Sequence, residues 1–88
     1  MDEISGWRSK IDEIDMKLLE LLNERAKYAV QIGKIKAEKK IGVYDPERER
    51  FIIDRLCEQN KGPLCNETVK KLFECLIQET RNLEKQEL

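Results

Sequence analysis

Residues 4–40 read ISGWRSKIDEIDMKLLELLNERAKYAVQIGKIKAEKK, and the fold turns on this stretch. It contains no proline, and Gly33 is its weak point in mid-helix. Wound at about 100° per residue, Ile4, Ile11, Leu18, Leu22, Ala29 and Ile32 line one stripe. Two series step by sevens: Ile4, Ile11, Leu18, Arg25, Ile32, and Trp7, Ile14, Leu21, Tyr28, Ile35. Together they make a broad apolar seam over several heptads, interrupted at Arg25. Lys36 also falls inside the stripe and Arg8 lies on its edge, while no aspartate or glutamate occupies its centre. Cations in such a place are costly unless paired. The chain therefore either holds internal anions for them or binds an anionic guest.

Outward from this stretch the chain divides simply. The segment from Lys39 to Tyr44 breaks the pattern at Gly42, and Asp45-Pro46 starts a second helix over 46–60, with Asp45 as N-cap. That helix should bury Phe51, Ile52, Leu56 and Ile53. Asn60-Lys61-Gly62-Pro63 stops it, and Asn66 caps a third helix over 67–86. The third helix spaces Val69, Leu72, Phe73, Leu76, Ile77 and Leu83 three and four apart, with Thr80 and Glu84 on the same face. A first helix over 4–40 would be ~54 Å long, whereas a compact globule of this chain length is only ~30 Å across. It overhangs any monomer, and the economical repair is a symmetric dimer with the long helices antiparallel. The fold class is all-α: one domain, residues 1–88, as a three-helix protomer with a very long first helix.

Composition narrows the function classes. The chain has 88 residues, 40% charged and 6% aromatic, with four glycines and two prolines, which suits exposed helices and leaves little turn chemistry for a β-rich fold. A formal net charge of −1 supplies no global field for nucleic acid or a membrane surface. No histidine is present, and Cys57, Cys65 and Cys75 lack metal-ligand spacing, so no metal site is expected. These thiols suit a reducing cytoplasm. Residues 1–10 carry charges and no apolar h-region, and no apolar run reaches membrane-spanning length.

Position, then, must create any affinity for an anion. Arg25 and Lys36 lie ~16 Å apart along the helix and can close on one small molecule. Arg8 is ~25 Å from Arg25, too far on the same helix, but an antiparallel partner returns its own Arg8 to that neighbourhood. Each cation also has a plainer reading, a snorkelling side chain at a seam. At the second helix start, Asp45-Pro46-Glu47-Arg48-Glu49 offers free backbone N–H groups. Arg48 tends inward with Glu49 beside it, although the two also make sense as a solvated pair. Thr80 can be satisfied by a backbone carbonyl; Glu84, on an apolar face, is harder to dismiss.

Several stretches in order resemble the all-helical chorismate mutases. They are residues 7–15 (WRSKIDEID), 18–25 (LLELLNER), 32–36 (IGKIK) and 45–49 (DPERE). The similarity covers essentially the whole chain and is strongest to about residue 56. It implies an intertwined antiparallel homodimer with two active sites, acting on chorismate, a small dianion, with no cofactor. On that resemblance Arg25 and the partner's Arg8 hold substrate carboxylates, and Lys36 contacts a carboxylate and the ether oxygen of the breaking bond. Glu49 and the Asp45 N–H take the ring hydroxyl, Arg48 supports the polar wall, and Thr80 stands near a carboxylate. Glu84 stands where many members have glutamine and some have glutamate, facing the ether oxygen. Lys36, Glu84 and Arg25 are thus the candidate catalytic residues. Two alternatives stay open: an isochorismate pyruvate-lyase of the same fold, and a non-catalytic helical dimerisation or regulatory module.

Overall fold

The computed structural model describes residues 2–86, which form three α-helices and no strand: α1, Glu3–Lys39; α2, Pro46–Gln59; α3, Asn66–Lys85. Two of the three starts follow capping chemistry. The Asp2 carboxylate accepts from the Ser5 N–H at 2.7 Å, and Asp45 accepts from the Arg48 N–H at 3.1 Å with Pro46 first in the helix. The third start differs from expectation. Cys65, not Asn66, is the N-cap of α3, and it makes no side-chain capping bond. Asn66 is already helical, and its Oδ1 accepts from Asn60 Nδ2 at 2.8 Å. Asn60 also donates to the Leu64 carbonyl at 2.8 Å and accepts from the Gly62 N–H at 3.1 Å. Two asparagines thus clamp the turn, around a Gly62 at φ +76° that favours glycine.

Helix α1 ends within a residue of the expected Lys40. Lys40 turns left-handed at φ 56°; its N–H donates to Ala37 O at 3.2 Å, and the Ile41 N–H donates to Lys36 O at 2.8 Å. This is a Schellman closure, and its two bonds offset the roughly 1 kcal/mol that a left-handed conformation costs a side-chain-bearing residue.

The described residues extend 57 × 24 × 15 Å with a radius of gyration of 16.4 Å, against ~12 Å for a compact chain of this length. Helix α3 packs against both α1 and α2, which do not pack against each other. Burial is confined accordingly: Ala29, Gly33, Val43, Val69, Ile77 and Thr80 are buried, whereas every residue from 2 to 21 is exposed. Ile4, Trp7, Ile11, Ile14, Leu18 and Leu21 present a continuous apolar arm, from 49% exposed at Leu18 to 66% at Trp7. Phe51 and Leu72, expected inside, are also exposed, while Ile52, Ile53, Leu56, Phe73, Leu76 and Leu83 are half-buried.

At Gly33, α1 closely approaches the backbone of α3. A Cβ built there would stand 2.8 Å from the Glu84 Cα and 2.9 Å from its carbonyl oxygen. Backbone atoms cannot swing aside as a side chain can, so the helices would have to part. Glycine in an open helix interior normally costs about 0.5–1 kcal/mol relative to alanine. Here the sign reverses: Gly33→Ala should destabilise by about 1–2 kcal/mol, a cost typical of overpacking. Denaturant unfolding checks this, and a gain in stability would contradict the close packing.

Candidate active site

A cavity of about 350 Å³, within the size range of small-molecule sites, opens between α1, the 40–45 loop, α2 and α3. Arg25, Lys36, Asp45, Arg48, Glu49, Thr80 and Glu84 all line it. Arg8 does not; it is exposed on the overhanging arm of α1, ~25 Å along the helix from Arg25.

Side-chain geometry sorts these residues. Lys36 Nζ donates to Glu84 Oε1 at 3.0 Å and to the Val43 carbonyl at 3.3 Å, so both α3 and the loop hold it. The Lys36 and Glu84 side chains are 19% and 14% exposed, sheltered enough for the pair to matter. Arg25 Nη1 donates to Thr80 Oγ1 at 3.1 Å. The buried Thr80 hydroxyl donates in turn to the backbone, with Leu76 O at 3.0 Å and Ile77 O at 3.1 Å. Thr80 is therefore satisfied locally and orients Arg25. Asp45 caps α2, and no hydrogen bond among the described residues takes its own N–H.

Arg48 and Glu49 do not pair with each other. Arg48 is exposed, its guanidinium 5.3 Å from the Phe51 ring centroid, whereas Glu49 Oε2 accepts from Arg81 Nη2 at 2.7 Å. Arg81 and Tyr28 both line the cavity and were not expected there. The signal for Arg81 was weak: it lies about 40° from Ile77 on a helical wheel, at the edge of the apolar face and on the side away from Thr80 and Glu84.

The charges do not balance. Glu49 and Glu84 are each engaged by a cation, while Arg25 and Arg48 have no salt bridge among the described residues. Burial, and then the neighbouring Arg48 charge, lowers the Arg25 pKa from its ordinary value, with Glu84 opposing. A guanidinium stays protonated in proteins, so the strain is an unmet demand for an anion. Among the described residues no cluster of carboxylates or thiols is arranged to hold a metal ion.

Three helices thus surround a cavity whose charge pattern suits a small, multiply anionic compound. Residues 7–85 match the family model "Chorismate mutase type II", and the chain belongs to that family. It is similar along its whole length to the chorismate mutase of Methanocaldococcus jannaschii, with 38% identity over 90% of that protein. It is 47% identical over 77 residues to the bifunctional chorismate mutase/prephenate dehydratase of Neisseria gonorrhoeae. The chain spans only 21% of that protein and 25% of its counterpart in Aquifex aeolicus. Among solved structures, a chorismate mutase (form II) from Thermus thermophilus superposes with a TM-score of 0.93 at 32% identity, over 96% of each chain.

Proposed function

We propose that this chain is a single chorismate mutase domain, residues 1–88, that rearranges chorismate to prephenate. The supporting observation is the pair of cations, Arg25 and Arg48, that keep no carboxylate partner among the described residues in a cavity they share with Lys36. Chorismate brings two carboxylates. Its rearrangement is unimolecular and transfers no proton, so catalysis consists of holding the ring and the enolpyruvyl arm in a chair-like arrangement. Fixed donors must also meet the negative charge that grows on the breaking ether oxygen.

The cavity residues expected from the sequence each have a part in this. Arg25, oriented by Thr80, binds one carboxylate, and Arg48 adds positive charge to the polar wall. Glu49 and the Asp45 N–H receive the ring hydroxyl. Lys36 and Glu84 hold each other in the free site, and substrate exchanges that pair. A carboxylate and the ether oxygen take Lys36, leaving the Glu84 carboxyl beside a dianion. A proton on Glu84 then turns repulsion into a hydrogen bond to the ether oxygen.

The domain works as an intertwined antiparallel homodimer, with the partner's Arg8 completing the carboxylate site. The arm from Ile4 to Leu21 supports this, because burying each of its large side chains contributes about 1.5–3 kcal/mol. So does its symmetry: the midpoint of Arg8 and Arg25 falls between Met16 and Lys17, close to Leu18 at the centre of the Ile4–Ile32 stripe. A twofold axis there pairs the stripes and brings each Arg8 back to the other chain's Arg25. We place its work in the cytoplasm, in keeping with free thiols at Cys57, Cys65 and Cys75. Among the described residues no helix is long and apolar enough to cross a membrane.

Incubating the protein with chorismate tests the reaction. Ultraviolet absorbance should fall as prephenate forms, and sedimentation at micromolar concentration should give twice the chain mass of 10.4 kDa. Unchanged chorismate from a well-folded dimer would contradict a mutase, and release of pyruvate from isochorismate in its place would assign the lyase reaction.

A further inference from the structure

One cation in the cavity has no part in the scheme above. Arg81 sits on α3 with its side chain 18% exposed, and its Nη2 meets Glu49 Oε2 at 2.7 Å, a short charge-assisted bond. Its guanidinium also lies 4.8 Å from the Tyr44 ring centroid, beside Asp45 in the loop. The Arg81 Nε, by contrast, is buried with no hydrogen-bond partner among the described residues. A buried donor left unpaired costs stability. The stack on Tyr44 and the bond to Glu49 therefore set this side chain's position, and satisfaction of its own donors does not.

What that position does follows from a second cavity. Glu49, Ile77 and Arg81 line both the candidate active site and an adjoining cavity between α2 and α3, so they form the partition between the two. The adjoining cavity is lined by two more cations, Arg50 and Lys70. A Glu49 carboxylate free to rotate thus has competing partners on the wrong side of the wall. The Arg81 bond occupies Oε2 and holds the carboxylate at the partition, and Oε1 remains to accept a further hydrogen bond.

We propose that Arg81, braced by the Tyr44 ring, is a positioning residue for the hydroxyl-binding end of the site and acts through Glu49. This rests on the mutase reading given above. Arg81 touches no substrate in this account; it selects which of two cavities Glu49 serves.

A double-mutant cycle tests it, with kcat and KM on chorismate measured for the full chain, Arg81→Met, Glu49→Gln and the double variant. Thermal unfolding and sedimentation are recorded for each. Arg81→Met should lose about tenfold or more in kcat/KM, and less than about twofold once Glu49 is already glutamine, because residues acting as one unit are non-additive. Arg81→Lys, which keeps the charge but not the planar stack, should recover part of the loss. An equal loss in both Glu49 backgrounds, as general structural damage or direct substrate contact would give, overturns the proposal, and so does no loss at all. If Arg81→Met does not fold, Arg81→Lys takes its place in the cycle under the same criterion. A wild type inert toward chorismate would refute the mutase reading and this role with it, whereas an active wild type with an additive cycle refutes Arg81 alone.

Discussion

Lys36→Ala should lose roughly a thousandfold in kcat/KM on chorismate, the upper end of what one preorganised donor contributes at a developing oxyanion. Two effects add. The ammonium that would meet the ether oxygen and a carboxylate is gone. Its removal also strips Glu84, 14% exposed, of the cation 3.0 Å away. The cavity then offers an unpaired carboxylate to an incoming dianion, so KM rises as kcat falls. Lys36→Arg keeps the charge but replaces a compact ammonium with a planar fork, and it should recover only a fraction. Steady-state kinetics on dimeric, folded variants settle the matter; a loss below tenfold for Lys36→Ala would remove Lys36 from the catalytic set.

Glu84→Gln should lower KM and raise kcat/KM on chorismate near neutrality. A carboxyl donates a hydrogen bond only when protonated, while a carboxamide always carries a donor. The variant therefore offers the ether oxygen a donor in every molecule. Its KM should fall because substrate no longer has to displace a carboxylate from Lys36, 3.0 Å away in the free site. The Lys36–Glu84 pair has a competing explanation, a bridge that serves stability only. Unchanged kcat and KM in a folded but less stable Glu84→Gln dimer would establish that explanation.

The three helices and the inward cations were legible in the sequence because both rest on local rules. A seam stepping by sevens from Ile4 and Trp7 specifies one long helix wherever it packs, and Asp45-Pro46 carries its own start signal. Arg25, Lys36, Thr80 and Glu84 stood out as polar side chains on apolar faces, and the structure brings all four to one cavity. Pairing between helices was not legible. Sequence proximity offers Arg48 as the partner of Glu49, yet the partner in the structure is 32 residues further on. Only the packing of α3 against α2 brings Arg81 to it. Asn66 failed as a cap for a similar reason, since Asn60 across the turn takes its oxygen. The α1 terminus was legible to within a residue, but not the left-handed turn at Lys40 that closes it, where two backbone hydrogen bonds offset a conformation that propensity alone assigns to glycine.

The proposal of a shared site, with cations supplied jointly by two chains, is tested most directly by mixing two inactive variants. Arg8→Ala and Lys36→Ala should each be nearly inactive alone. Unfolded together in equal amounts and refolded, they pair at random, so half the dimers are mixed. In a mixed dimer one site draws Lys36 from one chain and Arg8 from the other and is whole, while the second site carries both defects. Activity should therefore return to about a quarter of wild type, provided the sites act independently. No recovery, with mixed dimers verified by mass, would place Arg8 outside the partner's site and contradict the shared architecture.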